Sequence, residues 1–160
     1  MKFEQKISID GIEFIITKRQ VVVSPPDPTK PKRFYANINP VDRDELVPIC
    51  FAINGCWRQP DFIDQIIARG SCDHQSVTGF WFFDPEEFEE EPPPTIRLDL
   101  EPGRRGVITY FMLESAEVSE TFFVKLAVAF GLFCIENEIK SRHTKSELDR
   151  IRTAFKLTSD

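Results

Sequence analysis

The chain of 160 residues contains only seven glycines and two histidines. It has no glycine-rich phosphate loop and no G-x-S-x-G or H-E-x-x-H motif, which are common signatures of nucleotide-binding and hydrolytic sites. Its four cysteines, Cys50, Cys56, Cys72 and Cys134, include no C-x2-C pair, the spacing with which structural zinc sites place two ligands together. From these absences we predict a protein that is not an enzyme and has neither a cofactor nor a metal.

Long apolar runs are also missing. The longest, residues 126–135, has about half the length that a membrane-spanning helix needs. Residues 1–9 carry three charges and lack the apolar stretch of a secretory signal. We therefore expect a cytoplasmic protein with no membrane partner, in which the cysteines stay as buried free thiols. A disulfide or redox pair is the alternative for these thiols.

The composition is that of one folded domain, and we assign residues 1–160 to it. Hydrophobic residues make up 41% of the chain, with 15 phenylalanines among them. A domain of this size buries roughly two-thirds of its unfolded surface, so a stable core needs no disulfide or metal. We find no internal repeat.

Several strands are indicated by alternating apolar residues. Asp10-Gly11, the dipeptide favoured in two-residue type I′ turns, predicts a first hairpin. Four prolines predict a loop over residues 24–33, and a short strand follows over 34–39. Residues 77–83 are apolar on both faces, which is typical of a central strand. Residues 96–101 alternate strictly, and we expect them to pair with residues 107–113 across a turn at 102–106, as a second hairpin.

Helix boundaries are marked by capping residues. Pro60 and Gly70 enclose a short helix, Ser119 is the predicted N-cap of a long apolar one, and Thr144 with Glu147 forms a capping box before the last. Residues 42–54 stay ambiguous, because Pro48 would lie too deep in a helix capped by Asp42, and a helical turn followed by a strand fits equally. The predicted fold is α+β: an antiparallel β-meander of two hairpins and a central strand packed against two C-terminal helices and one short mid-chain helix.

One cluster could carry nucleophilic chemistry. Cys72 and His74 would share a face of a strand, with Asp73 between them. Most Cys-His sites instead bring their partners together from distant segments. A small cysteine-dependent enzyme that uses Cys72 with His74 or His143 is therefore the alternative to a binding protein.

The net charge of −6 is concentrated in one stretch. Residues 81–102 contain eight acidic residues and one basic residue, so the rest of the chain sums to +1. The clusters of basic residues are short, and acidic residues balance them. Examples are Lys30, Lys32 and Arg33, and the pair Arg104 and Arg105. We therefore expect no direct binding of nucleic acid.

The core of this acidic stretch is Asp84-Pro85-Glu86-Glu87-Phe88-Glu89-Glu90-Glu91, which three prolines follow. Its simplest interpretation is a solvated surface loop. The functional interpretation is a docking element, in which the carboxylates attract a basic protein or mimic a nucleic-acid backbone and Phe88 serves as the anchor. The predicted partner-binding residues are Asp84, Glu86, Glu87, Phe88, Glu89, Glu90, Glu91, Asp99 and Glu101.

The C-terminal half resembles a known class of proteins. A strand over residues 107–113, the segment Val118-Ser119-Glu120-Thr121-Phe122-Phe123 opening a helix, and a charged last helix with Leu148 and Phe155 are similar in pattern to bacterial immunity proteins against the toxins of contact-dependent growth inhibition. The resemblance implies an inhibitor that neutralises a basic, nuclease-like toxin. A subunit or adaptor of a larger assembly is a further alternative.

Overall fold

A computed structural model describes residues 3–83, 96–98, 106–139 and 142–157, with the backbone alone at 96–98. The strands in this part of the chain are β1 (Glu4–Ile9), β2 (Ile12–Gln20), β3 (Phe34–Pro40), β4 (Ser71–His74), β5 (Thr78–Phe83), β6 (Ile96–Leu98), β7 (Gly106–Phe111) and β8 (Glu114–Ser119). The helices are α1 (Val47–Cys56), α2 (Phe62–Ile67), α3 (Glu120–Glu136) and α4 (Lys145–Ala154). The α+β class is thus confirmed.

The first sheet is an antiparallel meander in the order β1-β2-β3. Its first turn confirms the predicted hairpin, since Asp10 and Gly11 adopt φ angles of +51° and +82°. A type I′ turn requires positive φ at both positions, and Asp and Gly tolerate it. The alternation in β2 places Phe14 and Ile16 in the core, while the residues between them are more exposed.

The second sheet has the order β4-β5-β7-β8-β6, so β5 is an interior strand as predicted. The predicted second hairpin is wrong. β7 pairs with β8 across Met112 and Leu113, and β6 lies parallel to β8 with Ile96 opposite Ala116. Alternation indicates which face of a strand is buried but does not identify its neighbour. β8 was not predicted, because only two of its residues, Ala116 and Val118, are apolar.

The ambiguous residues 42–54 form a helix after a separate 3-10 turn. The turn covers Asp44–Leu46, and α1 begins only at Val47. Pro48 therefore lies in the first turn of α1, where a missing N–H group costs no hydrogen bond.

α1 is the central element of the core, because it packs against β3 of the first sheet and against β4, β5, β7 and β8 of the second. Its side chains are apolar all round except for Asn54. The Asn54 side chain accepts a hydrogen bond from the Ile38 N–H at 2.8 Å and donates one to the Ile38 carbonyl at 3.0 Å. One polar side chain thus joins α1 to the outer edge of β3.

The two C-terminal helices begin as predicted. The Ser119 hydroxyl accepts a hydrogen bond from the Phe122 N–H, and Thr144 and Glu147 cap each other reciprocally. Gly131 allows α3 to approach the end of α1, since a Cβ atom at this position would lie only 2.8 Å from Trp57 Cη2. The predicted short helix is α2.

We expect Asn54→Ala to destabilise the fold by about 1–3 kcal/mol, because the Ile38 N–H and carbonyl would lose their partner in a partly buried place. Urea unfolding would measure the loss. Asn39→Ala, at an exposed position of the same strand, is the matched control and should change stability by no more than about 0.5 kcal/mol. Equal effects of the two substitutions would contradict the role assigned to Asn54.

Candidate functional site

The predicted acidic docking residues lie outside the described part of the chain. They are Asp84, Glu86, Glu87, Phe88, Glu89, Glu90, Glu91, Asp99 and Glu101. The structure does describe the strands from which they continue. Asp84 directly follows Phe83, the last residue of β5, and Asp99 directly follows Leu98, the last residue of β6.

These two strand ends lie at the same end of the second sheet. Phe83 pairs with Gly106, and Gly106 pairs with Ser119. Leu98 pairs with Val118, the neighbour of Ser119. With a strand spacing of about 4.8 Å, three steps across the sheet place the ends of β5 and β6 about 14 Å apart. The two strand ends that these acidic residues follow in sequence therefore lie near each other.

The cysteine and the histidine of β4 share a face, as predicted, but the carboxylate does not join them. Cys72 is buried and His74 half-buried on the inner face, where His74 packs close to Gly55. Asp73 points to the opposite face and accepts a hydrogen bond from the Tyr110 hydroxyl. Desolvation by burial, followed by this hydrogen bond, raises the pKa of Tyr110. Asp73 is thus engaged on the other side of the sheet from His74.

His143 is buried in an aromatic cluster at the end of α1. Its Nε2 atom lies 2.8 Å from the Trp57 carbonyl oxygen, and its ring packs edge-on against the Trp57 ring at 4.7 Å between centroids. Nδ1 lies 3.7 Å from a carboxylate oxygen of Glu147. These contacts give His143 a structural role, in which it joins the start of α4 to the end of α1.

All four thiols are free and buried. Burial raises the pKa of Cys50, and it raises the pKa of Cys134 to about 12. A hydrogen bond with Cys72, followed by burial, raises the pKa of Cys56. Thiols held in the neutral form are poor nucleophiles, because the thiolate is the reactive species.

A cavity of about 610 Å³ lies beside β3 of the first sheet, next to the C-terminal end of α1. This volume is in the range of ligand-binding pockets. Phe34, Tyr35 and Ala36 all line it. Because successive side chains of a strand point to opposite faces, a cavity that touches three consecutive residues opens on the edge of β3 rather than on a face. We call it the edge cleft.

The hydrogen-bond register shows which main-chain groups face the edge cleft. The Val21 N–H bonds to the Arg33 carbonyl on the β2 side, and Ile38 bonds to Asn54 on the opposite side. Residues of one strand alternate between these sides. The N–H and carbonyl groups of Phe34 and Ala36 therefore point away from β2, like those of Ile38. They have no hydrogen-bond partner among the described residues.

The cleft combines an apolar floor with a cationic rim. Trp57, Phe130, Cys134 and Ile139 form buried parts of its lining. The exposed side chains of Arg33 and Arg58 also line it, and neither makes an ion pair with a residue that the structure describes. The positive charge of Arg58 acts on Cys134 in the floor, where it partly opposes the rise in the Cys134 pKa that burial causes.

Lys18 supports one wall of the cleft. Its buried ammonium group donates a hydrogen bond to the Asn137 carbonyl at 2.6 Å, close to the C-terminal end of α3. It also lies 4.3 Å from the centroid of the Phe34 ring. Positive charge is favourable at a helix C-terminus, and an ammonium group over an aromatic face is attracted to it. Phe34 is thus held in place beside the cleft.

The edge cleft cannot be recognised in the sequence, because its residues come from separate parts of the chain. The available signal was Asn54, a single polar residue in an otherwise apolar helix. Within the described ranges, no group of three His, Cys, Asp or Glu side chains is placed to hold a metal ion. None of the described helices has the length and hydrophobicity to span a bilayer.

Comparisons with known proteins give no relative: no protein-family model matches the chain, and no curated protein or solved structure matches it either.

We expect all four cysteines to react slowly with iodoacetamide near neutral pH, at least about tenfold more slowly than in the urea-unfolded chain, because all four are buried. Mass spectrometry of digested samples would give the rate for each residue. Rapid labelling of Cys72 in the folded protein, abolished by His74→Ala, would instead favour the enzyme alternative.

Proposed function

We propose that the protein is a non-enzymatic binding domain that captures a basic protein through residues 84–91, in the manner of an inhibitor or immunity protein. The observation that carries this proposal is the position of the two strand ends that the acidic residues follow. Those that follow Phe83 and those that follow Leu98 continue from the same end of one sheet. Carboxylates gathered at one place attract and orient a cationic partner more strongly than the same charges spread over a surface.

The charge distribution supports the same interpretation. Residues 84–95 contain six acidic residues and no basic one, which equals the net charge of −6 of the whole chain. The described residues contain sixteen basic and seventeen acidic side chains, so they are nearly neutral together.

Many charges of the described body are paired with one another. Arg69 makes a bidentate ion pair with Glu120, and Lys125 pairs with Asp10 at 3.0 Å. Paired charges produce a weaker field at a distance than isolated ones. A cationic partner would therefore be drawn to the acidic segment rather than to the rest of the surface.

The tether of the segment favours binding. Phe83 is buried, and it is held in β5 by its pairing with Gly106 of β7. A segment that begins at a fixed strand end, and that contains Pro85, loses less conformational entropy on binding than a free chain. Phe88 is its only aromatic residue and serves as the apolar anchor.

The class of partner follows from this chemistry. A basic nuclease-like toxin presents cationic groups that normally hold phosphates, and a row of carboxylates can occupy them. Four buried free thiols suit action in the reducing cytoplasm.

Replacing Glu86, Glu87, Glu89 and Glu90 by Lys should abolish capture of basic proteins from a lysate of the source cells by the immobilised chain. For a captured partner, we expect the association rate at low salt to fall at least about tenfold and to lose its salt dependence. Mass spectrometry of the eluates and stopped-flow mixing would measure the two effects.

The matched control replaces four exposed glutamates elsewhere, Glu4, Glu13, Glu114 and Glu136, by Lys. It changes the net charge by the same amount and should leave capture largely intact. An unchanged association rate in the first variant, or an equal loss in both, would disprove docking through the acidic segment.

A further inference from the structure

We propose that the edge cleft is a second binding site, which accepts an extended peptide segment of a partner protein carrying a carboxylate side chain. The peptide would add to the outer edge of β3 as a further strand, with its carboxylate between Arg33 and Arg58. This site is separate from the acidic segment and does not depend on the function proposed for it.

The hydrogen-bonding groups of the edge indicate a peptide. Asn54 already gives Ile38 one acceptor and one donor, as the backbone of a neighbouring strand would. Phe34 and Ala36 are the next outward-facing residues along β3. Both line the cleft, and their main-chain groups lack a partner among the described residues. A peptide strand supplies donors and acceptors at the spacing of these groups, whereas a compact ligand does not.

The main-chain groups of β4, an edge strand of the second sheet, do have partners. On β4, the Ser71 N–H bonds to the side chain of Gln65 at 3.2 Å, and the Asp73 carbonyl accepts a hydrogen bond from Gln59 at 2.6 Å. Folded proteins commonly block exposed edges in this way to prevent strand addition. On β3 the only such hydrogen bonds among the described residues are those between Asn54 and Ile38. The cavity lies beside Phe34 and Ala36, whose outward-facing groups are not bonded in this way.

Charge complementarity identifies the side chain of the ligand. Arg33 and Arg58 line the cleft without an ion pair to a described residue, although the chain as a whole is acidic. Guanidinium groups bind carboxylates through paired, charge-assisted hydrogen bonds. The apolar floor formed by Trp57 and Phe130 would take the alternate, apolar side chains of the same strand.

The first test is a displayed library of random heptapeptides, selected on the full chain. We expect enriched sequences that alternate apolar residues with Asp or Glu. A synthetic, amidated copy of the best sequence should lose at least about tenfold in affinity when its acidic residues become Asn or Gln, and similarly when the amide groups facing β3 are N-methylated. The N-methylated peptide tests strand addition without altering the protein.

The protein variant for this test is Arg33→Gln with Arg58→Gln, which should weaken binding about tenfold or more. Its matched control is Arg43→Gln with Arg150→Gln, two arginines that do not line the cleft, and it should bind normally. On adding the peptide, amide hydrogen exchange should slow at Phe34 and Ala36 but not at Ile38, which is already bonded to Asn54.

Three outcomes would overturn the proposal. The first is no enrichment of any sequence, or equal binding by both pairs of arginine variants. The second is equally tight binding of acetate or of the N-methylated peptide, which would make the cleft a simple anion site. The third is dimerisation of the chain that the Arg33→Gln, Arg58→Gln variant abolishes, which would make a second copy the occupant.

Discussion

The structure depends on burying α1, an almost wholly apolar helix, between two sheets. A helix that is apolar on every side must be covered on every side, and here β3 covers it from one sheet and β4, β5, β7 and β8 from the other. This requirement explains why the strands divide into two sheets. It also explains the importance of Asn54, since the one polar side chain of α1 needs a partner and finds it in the backbone of Ile38.

The position of α1 also shapes the candidate sites. Trp57, just beyond its last turn, packs against Phe62, Phe130 and His143, and this cluster joins α2, α3 and the start of α4. Because α1 reaches the edge of β3 only at Ile38, the strand beyond that point borders a cavity. The second sheet, on the other side of α1, tethers the acidic segment through β5 and β6. The two proposed binding regions thus belong to different sheets.

Local features could be predicted from sequence because a few neighbouring residues determine them. Asp10-Gly11 specifies a turn, Ser119 caps α3, and Thr144 with Glu147 caps α4. Pairing between distant segments was harder to predict. β6 alternates as a hairpin strand would, yet it pairs with β8 in the parallel direction. The partner of a strand is determined by the packing of the whole sheet, and the alternation within one strand does not indicate that partner.

The candidate sites also differ in how far the sequence indicates them. Charge concentration is visible in sequence, so the acidic segment was found there and stays a prediction, because its residues lie outside the described ones. The edge cleft arises only when Arg33, Phe34 and Arg58 are brought together by the packing of α1 beside β3. Similarly, only the structure separates Asp73 from His74 and places His143 against Trp57.

Asn54 of α1 bonds to the main chain of β3 at Ile38, while the next two outward-facing residues, Ala36 and Phe34, have main-chain groups without a partner among the described residues. Amide hydrogen exchange of the ligand-free protein tests this most directly. We expect the Ile38 N–H to exchange at least about tenfold more slowly than those of Phe34 and Ala36. Equal protection of all three amides would contradict it.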